Sequence, residues 1–85
     1  MNIYYTSRFV KNYKKLPERI KLKAELKEAI FKINPFDQRL ETHKLHGKDK
    51  EFWSYSIDNK YRIKFLLTSN DEALYLNVGL RDDVY

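Results

Sequence analysis

The chain has 85 residues, of which 17 are Lys or Arg and 12 are Asp or Glu, and its net charge is +5. This length leaves room for a single domain, expected over residues 1–85. The absence of cysteine excludes disulfides and thiolate zinc sites. Since no apolar run approaches the roughly 18 residues of a membrane span, the chain is expected to be cytoplasmic and free of membrane contact. The basic excess is suited to a polyanion such as nucleic acid, although solubility alone would also explain it.

The first 34 residues predict a short strand and two helices. Residues 3–5 are β-prone, and Thr6 or Ser7 can cap the first helix with a side-chain hydroxyl. Proline suits a first helical position, so Pro17 starts the second helix, which ends before Pro35 because the residue before proline avoids the α region. The apolar residues of the two helices are Phe9, Tyr13 and Leu16 in the first, and Ile20, Leu22, Leu26, Ala29, Ile30 and Ile33 in the second.

From residue 38 onward the apolar pattern has a period of two, which predicts strands. The predicted strands are residues 40–45 (weak), 52–57, 61–68 and 73–80, with a basic loop over 46–51 and turns over 58–60 and 69–72. The fold class is therefore α+β in the order β-α-α-β-β-β-β. An N-terminal helical hairpin is expected on one face of a twisted, mainly antiparallel sheet of four or five strands.

Strand alternation predicts which side chains share a face of this sheet. A three-residue turn sets Tyr55 opposite Ile63, and a four-residue turn sets Ile63 opposite Val78 and Phe65 opposite Leu76. Both hairpins put the apolar residues on one side. The other face, expected to be open, carries Ser54, Ser56, Arg62, Lys64, Tyr75, Asn77 and Arg81.

The predicted open face combines cations, hydroxyls and an amide with no carboxylate. Arg62 would lie opposite Gly79 and diagonally next to Arg81, and two arginines at that spacing repel unless an anion lies between them. Forked arginines with hydroxyl donors are typical of phosphate recognition. The simpler interpretation is the solvated side of an antiparallel sheet.

Four motifs resemble those of the RelE/ParE superfamily of type II toxins, in particular its RelE, YoeB and YafQ branches. They are Leu45-x-Gly47, Phe52-Trp53-Ser54, Tyr61-Arg62-Ile63-x-Phe65 and Val78-Gly79-x-Arg81-Asp82-Asp83-Val84-Tyr85. The resemblance covers the whole chain. It implies a helical hairpin on a twisted sheet and an endoribonuclease that cleaves mRNA, mostly on the 70S ribosome, by 2′-hydroxyl attack on the adjacent phosphate. It also implies that neither a metal nor a cofactor is needed.

The resemblance assigns catalytic roles to four residues. Arg62 matches the arginine that binds the phosphate, and Arg81 the one implicated in charge stabilisation or protonation of the leaving group. Tyr85 matches the tyrosine that orients or stacks on the substrate, and His43 a histidine of YoeB and YafQ. Because imidazole titrates near neutral pH, His43 is the first candidate for the general base, followed by Glu41, Lys48 and Lys50. The expected RNA-binding residues are Lys44, Lys48, Lys50, Ser54, Ser56, Lys64 and Asn77.

Three departures from the family pattern keep other functions open. RelE's lysine pair corresponds to Trp53 and Tyr55, the C-terminal histidine of YoeB and YafQ is replaced by Arg81, and YoeB's glutamate corresponds to Arg39. A missing base favours a ParE-like gyrase poison, whereas Arg62, Arg81 and Tyr85 together favour the ribonuclease. A catalytically decayed RNA-binding relative and an unrelated basic domain are further alternatives, in which His43 and its neighbour His46 are surface residues of a mobile loop.

The expected protein partner is a cognate antitoxin. A chain of charge +5 with a cationic face is most simply neutralised by a small, acidic, partly disordered protein that folds over it. The resemblance implies that DNA is contacted only indirectly, through the toxin-antitoxin complex.

Overall fold

The computed structural model describes residues 1–47 and 51–85. Its helices and strands are β1 (Asn2–Tyr5), α1 (Ser7–Lys14), α2 (Glu18–Ile33), β2 (His43–Lys44), β3 (Trp53–Ser56), β4 (Tyr61–Ser69), β5 (Glu72–Leu80) and α3 (Arg81–Val84). The strands form one five-stranded sheet in the order β1-β5-β4-β3-β2. β1 runs parallel to β5, and the other neighbours are antiparallel. The predicted α+β class is confirmed.

Both predicted helices form, and their ends follow the expected local chemistry. The hydroxyl of Thr6 accepts the N–H of Phe9 at 3.0 Å, which satisfies an orphan donor at the start of α1. α2 begins directly after Pro17, and Asn34, which precedes Pro35, has the extended φ of −154° that ends the helix. No helix in residues 1–47 or 51–85 is long and apolar enough to cross a membrane.

The two sides of α2 have different surroundings although both are apolar. Ile20, Ala24 and Phe31 are buried against the sheet. Leu22, Leu26 and Ile33 lie on the outer side and are 62%, 69% and 89% exposed. The apolar residues of this helix therefore form an inner stripe that belongs to the core and an outer stripe that faces solvent.

Aromatic rings fill the space between α2 and the sheet. The ring of Phe31 lies 5.4 Å from Tyr55, 4.9 Å from Phe65 and 5.3 Å from Tyr75, measured between centroids. Edge-to-face and offset contacts at these separations add to the free energy gained from apolar burial. This cluster is the centre of the core and fixes the side of the sheet on which the helices pack.

The first hairpin has the predicted register. Tyr55 pairs with Ile63 and Ser54 with Lys64. The intervening turn is held by Asp58, whose Oδ1 accepts the N–H groups of Lys60 and Tyr61, each at 2.9 Å. A side chain that bonds the backbone two residues onward is the usual reason for Asp in such turns.

The second hairpin follows the predicted register only near its open end, where Ile63 pairs with Val78. A register shift between Lys64 and Phe65 makes Leu76 an extra residue in β5, so Phe65 pairs with Tyr75 rather than Leu76. Side chains before such a bulge change faces. The placement of Tyr75 on the open face was therefore wrong: Tyr75 is 1% exposed and belongs to the core.

The weak strand predicted over 40–45 is also corrected. Residues Gln38–Leu40 form a short 3-10 helix, capped where Asp37 accepts the N–H of Arg39 at 2.9 Å. Only His43–Lys44 pair with β3. Between the two segments Glu41 has a left-handed φ of 53°. Local capping by Asp37 and burial of Leu40 outweigh the β pattern in the first part of this segment.

Candidate nucleic-acid interface

Four polar side chains line up across the sheet on the face opposite the core. His43 on β2 pairs with Ser54 on β3, Ser54 with Lys64 on β4, and Lys64 with Asn77 on β5. Directly paired residues share a face of the sheet, so the chain places a histidine, a hydroxyl, an ammonium and an amide in one line. We call His43, Ser54, Lys64 and Asn77 the polar row.

A second line of paired residues runs beside the polar row. Ser56 pairs with Arg62, and Arg62 pairs with Gly79. The predicted pairing of Arg62 with glycine is thus confirmed. The sequence predicted that this whole face is open to solvent. The structure shows instead that three of its residues are buried: Ser54, Ser56 and Asn77.

Helix α3 covers part of this face, although the sequence predicted no helix after residue 80. Val84 is buried, and its Cγ2 lies 3.6 Å from the point where a Cβ on Gly79 would be. Asp82 and Asp83 stand in the first turn of α3, where carboxylates suit the positive helix end. The apolar Val84 therefore anchors the turn that carries the next residue, Tyr85, onto the sheet.

Tyr85 joins the polar row through its hydroxyl. Its oxygen lies 2.9 Å from Oγ of Ser54 and 3.1 Å from Nε2 of His43. The rings of His43 and Tyr85 meet edge to face, with centroids 6.0 Å apart. Tyr85 is 43% exposed as a residue, so part of it remains open to a ligand such as a nucleobase.

The other ring nitrogen of His43 is bonded to the backbone. Nδ1 lies 3.2 Å from the carbonyl oxygen of Glu41, the residue with left-handed φ. The Glu41 side chain is exposed. His43 is therefore connected through both nitrogens, to Glu41 and to Tyr85.

The two candidate arginines lie at the same end of the face, near the β3–β4 turn. Nη1 of Arg62 donates to the carbonyl oxygens of Asp58 at 2.6 Å and Tyr61 at 3.1 Å. The backbone N–H of Arg81 donates to the carbonyl of Lys60 at 2.8 Å, and its side chain is exposed. The turn thus binds the Arg62 guanidinium through one of its two terminal nitrogens.

A hollow of about 300 Å³ adjoins the polar row. It is lined by Arg8, Lys64, Leu76, Asn77, Asp83, Val84 and Tyr85. The ammonium of Lys64 also lies 4.8 Å from the centroid of Phe52. Arg8 and Lys64 bring two cationic side chains to this lining, and Asp83 brings one carboxylate.

Sequence reasoning missed two contributors from α1. Arg8 lines the hollow, and Asn12 donates from Nδ2 to Oδ1 of Asn77 at 2.6 Å. The same Oδ1 accepts the N–H of Val78 at 2.9 Å, so Asn77 is held between helix and strand. A helical period in the sequence could not show that polar residues beside the Phe9 stripe reach the other side of β5.

One predicted RNA-binding residue, Lys44, is not brought to the polar row. Lys44 pairs with Trp53 and alternates with His43, and its Nζ lies 5.8 Å from the Trp53 ring centroid. Trp53 packs against the core, so Lys44 belongs to the opposite side of the sheet. Lys48 and Lys50 lie outside the described residues.

No protein-family model and no curated protein matches this chain in sequence. Solved structures do match it over nearly its whole length. The YoeB/ParE toxin from Agrobacterium tumefaciens has a TM-score of 0.80 at 18% identity, covering 95% of this chain and 99% of that one. YafQ from E. coli strain BL21(DE3) has a TM-score of 0.73 at 19% identity, with coverages of 96% and 94%. A chain of the RelB-RelE antitoxin-toxin complex from Methanococcus jannaschii has a TM-score of 0.74 at 21% identity, with coverages of 94% and 92%.

These likenesses define the class of fold: a helical hairpin on one face of a mixed five-stranded sheet. The chain has the fold of the RelE/ParE superfamily of toxins. The resemblance to this superfamily that the sequence motifs indicated is confirmed at the level of the fold.

Proposed function

We propose that this protein is the toxin of a type II toxin-antitoxin system and a metal-independent endoribonuclease that cleaves mRNA on the ribosome. The observation that carries the proposal is the contact of Tyr85 with both His43 and Ser54 at the edge of a cationic hollow. Ribonucleolysis by 2′-hydroxyl attack needs a proton acceptor beside cations that stabilise the phosphate. A gyrase poison would need neither.

The proton acceptor in this proposal is His43. Nε2 of His43 lies 3.1 Å from the Tyr85 hydroxyl, so the phenol can relay a proton to the imidazole. The phenol oxygen takes the proton of the ribose 2′-hydroxyl as its own proton passes to Nε2. The 2′-oxygen then forms a bond to phosphorus, the bond from phosphorus to the 5′-oxygen breaks, and His43 is left as imidazolium.

Cations bind the charge that develops on the phosphate. Lys64 is paired directly with Ser54 and lines the hollow with Arg8. Arg62 is held through Nη1, and among the described residues its Nη2 and Nε have no hydrogen bond, so they are the donors proposed for a phosphate oxygen. We assign protonation of the leaving 5′-oxygen to the exposed Arg81 side chain, on the basis of the family resemblance.

The test is induction of the protein in a bacterial host, with primer extension on abundant messages. We expect growth arrest and new 5′ ends inside reading frames. His43→Gln and Arg62→Ala should each reduce cleavage by about 100-fold or more. The matched controls are His46→Gln, the other histidine, and Arg19→Ala on α2, which should leave cleavage unchanged.

Two outcomes contradict the ribonuclease. Growth arrest without new 5′ ends, together with inhibited supercoiling by purified gyrase, would assign the chain to the gyrase poisons. Absence of arrest with retained RNA binding would make it a decayed relative.

We also propose a small acidic antitoxin as partner. The RelE-like neighbour from Methanococcus jannaschii was crystallised as an antitoxin-toxin complex, and the charge of +5 favours an acidic partner. Isothermal titration with the acidic protein encoded beside this one should show tight binding that weakens with salt. Absence of heat and of complex on gel filtration would contradict the pairing.

A further inference from the structure

We infer that the Glu41 carbonyl holds His43 as its Nδ1–H tautomer and that Ser54 is a positioning residue that aims the Tyr85 hydroxyl at His43. The inference rests on the proposed ribonuclease activity for its purpose. Its first readout, however, is the position of one proton, which does not depend on cleavage.

The tautomer of His43 follows from the group that is hydrogen-bonded to its Nδ1. A backbone carbonyl can only accept a hydrogen bond, so the 3.2 Å contact between Nδ1 and the oxygen of Glu41 requires a proton on Nδ1. In neutral imidazole the other nitrogen is then bare. Nε2 therefore accepts at the 3.1 Å contact with Tyr85, and the phenol donates.

The role of Ser54 follows from the single proton of a phenol. Once the Tyr85 hydroxyl has donated to His43, its oxygen can only accept from Ser54, 2.9 Å away. Ser54 is 0% exposed and lies in β3 between β2 and β4, so its Oγ is a fixed donor. The order of donation is Ser54 to Tyr85 to His43, which leaves Nε2 of His43 as the proton-accepting nitrogen.

The backbone at Glu41 makes this arrangement possible. Its φ of 53° is a left-handed conformation that is sterically unfavourable for a residue with a side chain. Glu41 also ends the 3-10 helix by donating its N–H to the carbonyl of Gln38 at 3.1 Å. The turn that results directs the Glu41 carbonyl to the imidazole two residues later. The residue with the unfavourable φ, Glu41, is therefore the residue whose carbonyl determines the tautomer of His43.

The experiment is long-range ¹H–¹⁵N correlation spectroscopy of the uniformly labelled protein at about pH 8, where free imidazole is neutral. The chain has only two histidines, so His46→Gln assigns the spectrum. We expect Nδ1 of His43 to be the protonated nitrogen and Nε2 the bare one. Free imidazole side chains favour the opposite tautomer, so finding His43 as Nε2–H would overturn the inference whether or not the protein cleaves RNA.

Variants test each contributor separately. Glu41→Gly tolerates the left-handed φ and should keep the tautomer, whereas the β-branched Glu41→Val should lose it. Ser54→Ala should leave the tautomer unchanged and lower kcat of RNA cleavage by about 10- to 100-fold with KM nearly constant. Ser69→Ala, at the far end of β4, is the matched control. Unchanged kcat in Ser54→Ala, in a preparation whose wild type cleaves RNA, would remove Ser54 from the positioning role.

Discussion

The hydroxyl oxygens of Tyr55 and Tyr75 lie 3.1 Å apart inside the core. The two residues come from β3 and β5, with β4 between them, and both rings contact Phe31. Burial, above all, raises the pKa of each phenol. A polar pair is thus enclosed within the aromatic cluster, and each hydroxyl has the other as its hydrogen-bond partner.

We expect Tyr55→Phe and Tyr75→Phe each to lower the free energy of unfolding by about 1–3 kcal/mol, because each leaves one buried hydroxyl without its partner. The double variant should cost less than the sum of the two, since it removes both polar groups. Urea denaturation of the four proteins measures the coupling. Additive losses would mean that the two hydroxyls do not depend on each other.

The same pair predicts loss of stability in alkali. A phenol whose pKa is raised in the folded state contributes stability that is present below the pKa of the unfolded state, about 10, and is lost as pH rises above it. Unfolding free energies from pH 8 to 11 should fall steeply above that value. The double phenylalanine variant should fall less steeply, and an identical slope would assign the alkaline loss to other groups.

Asp58 should stabilise the β3–β4 turn. Its partial burial raises its pKa, but the N–H groups of Tyr61 and Lys60 outweigh that effect, so the net pKa is lowered. Asp58→Ala should cost about 1–2 kcal/mol through the two lost hydrogen bonds, and Asp58→Asn, which keeps an acceptor, should cost less. A lowered pKa stabilises above the unfolded value near 3.9 and ceases to do so as pH falls. Urea denaturation at pH 7 and pH 3 should therefore show a smaller cost in acid.

Glu41 offers a test of backbone strain that is independent of activity. Glu41→Gly should maintain the unfolding free energy or raise it by up to about 1 kcal/mol, because glycine adopts a positive φ without steric cost. Glu41→Val should lower it by about 1–2 kcal/mol. Thermal denaturation of both variants beside the wild type distinguishes them. Equal melting temperatures would contradict the left-handed conformation.

Most of the fold could be predicted because local signals agreed with tertiary packing. Thr6, Pro17 and Pro35 mark helix ends by local chemistry, and the β3–β4 register followed from a turn rich in Asp and Asn. The register of β4 and β5 failed at Leu76, where a bulge places Tyr75 in the core. A bulge has no signature in an alternating pattern, since only three-dimensional packing determines which ring is buried.

The site was predictable in composition but not in arrangement. Ser54 and Lys64 were assigned to the correct face by alternation, and their pairing is confirmed. The contact of Tyr85 with His43, 42 positions away, depends on the α3 turn and on the left-handed Glu41. Neither feature follows from residue type: glutamate rarely adopts positive φ, and four residues of α3 are too few for a periodic signal.

The parallel pairing of β1 with β5 affects the order in which the fold can assemble. Thr6, directly after β1, reaches Leu76 across 70 positions of sequence, whereas β3, β4 and β5 join through short turns. A contact that closes a long loop costs chain entropy before it contributes favourable free energy. The meander should therefore form first and capture the N-terminal strand late. Mutations that weaken β1 would then speed unfolding far more than they slow folding.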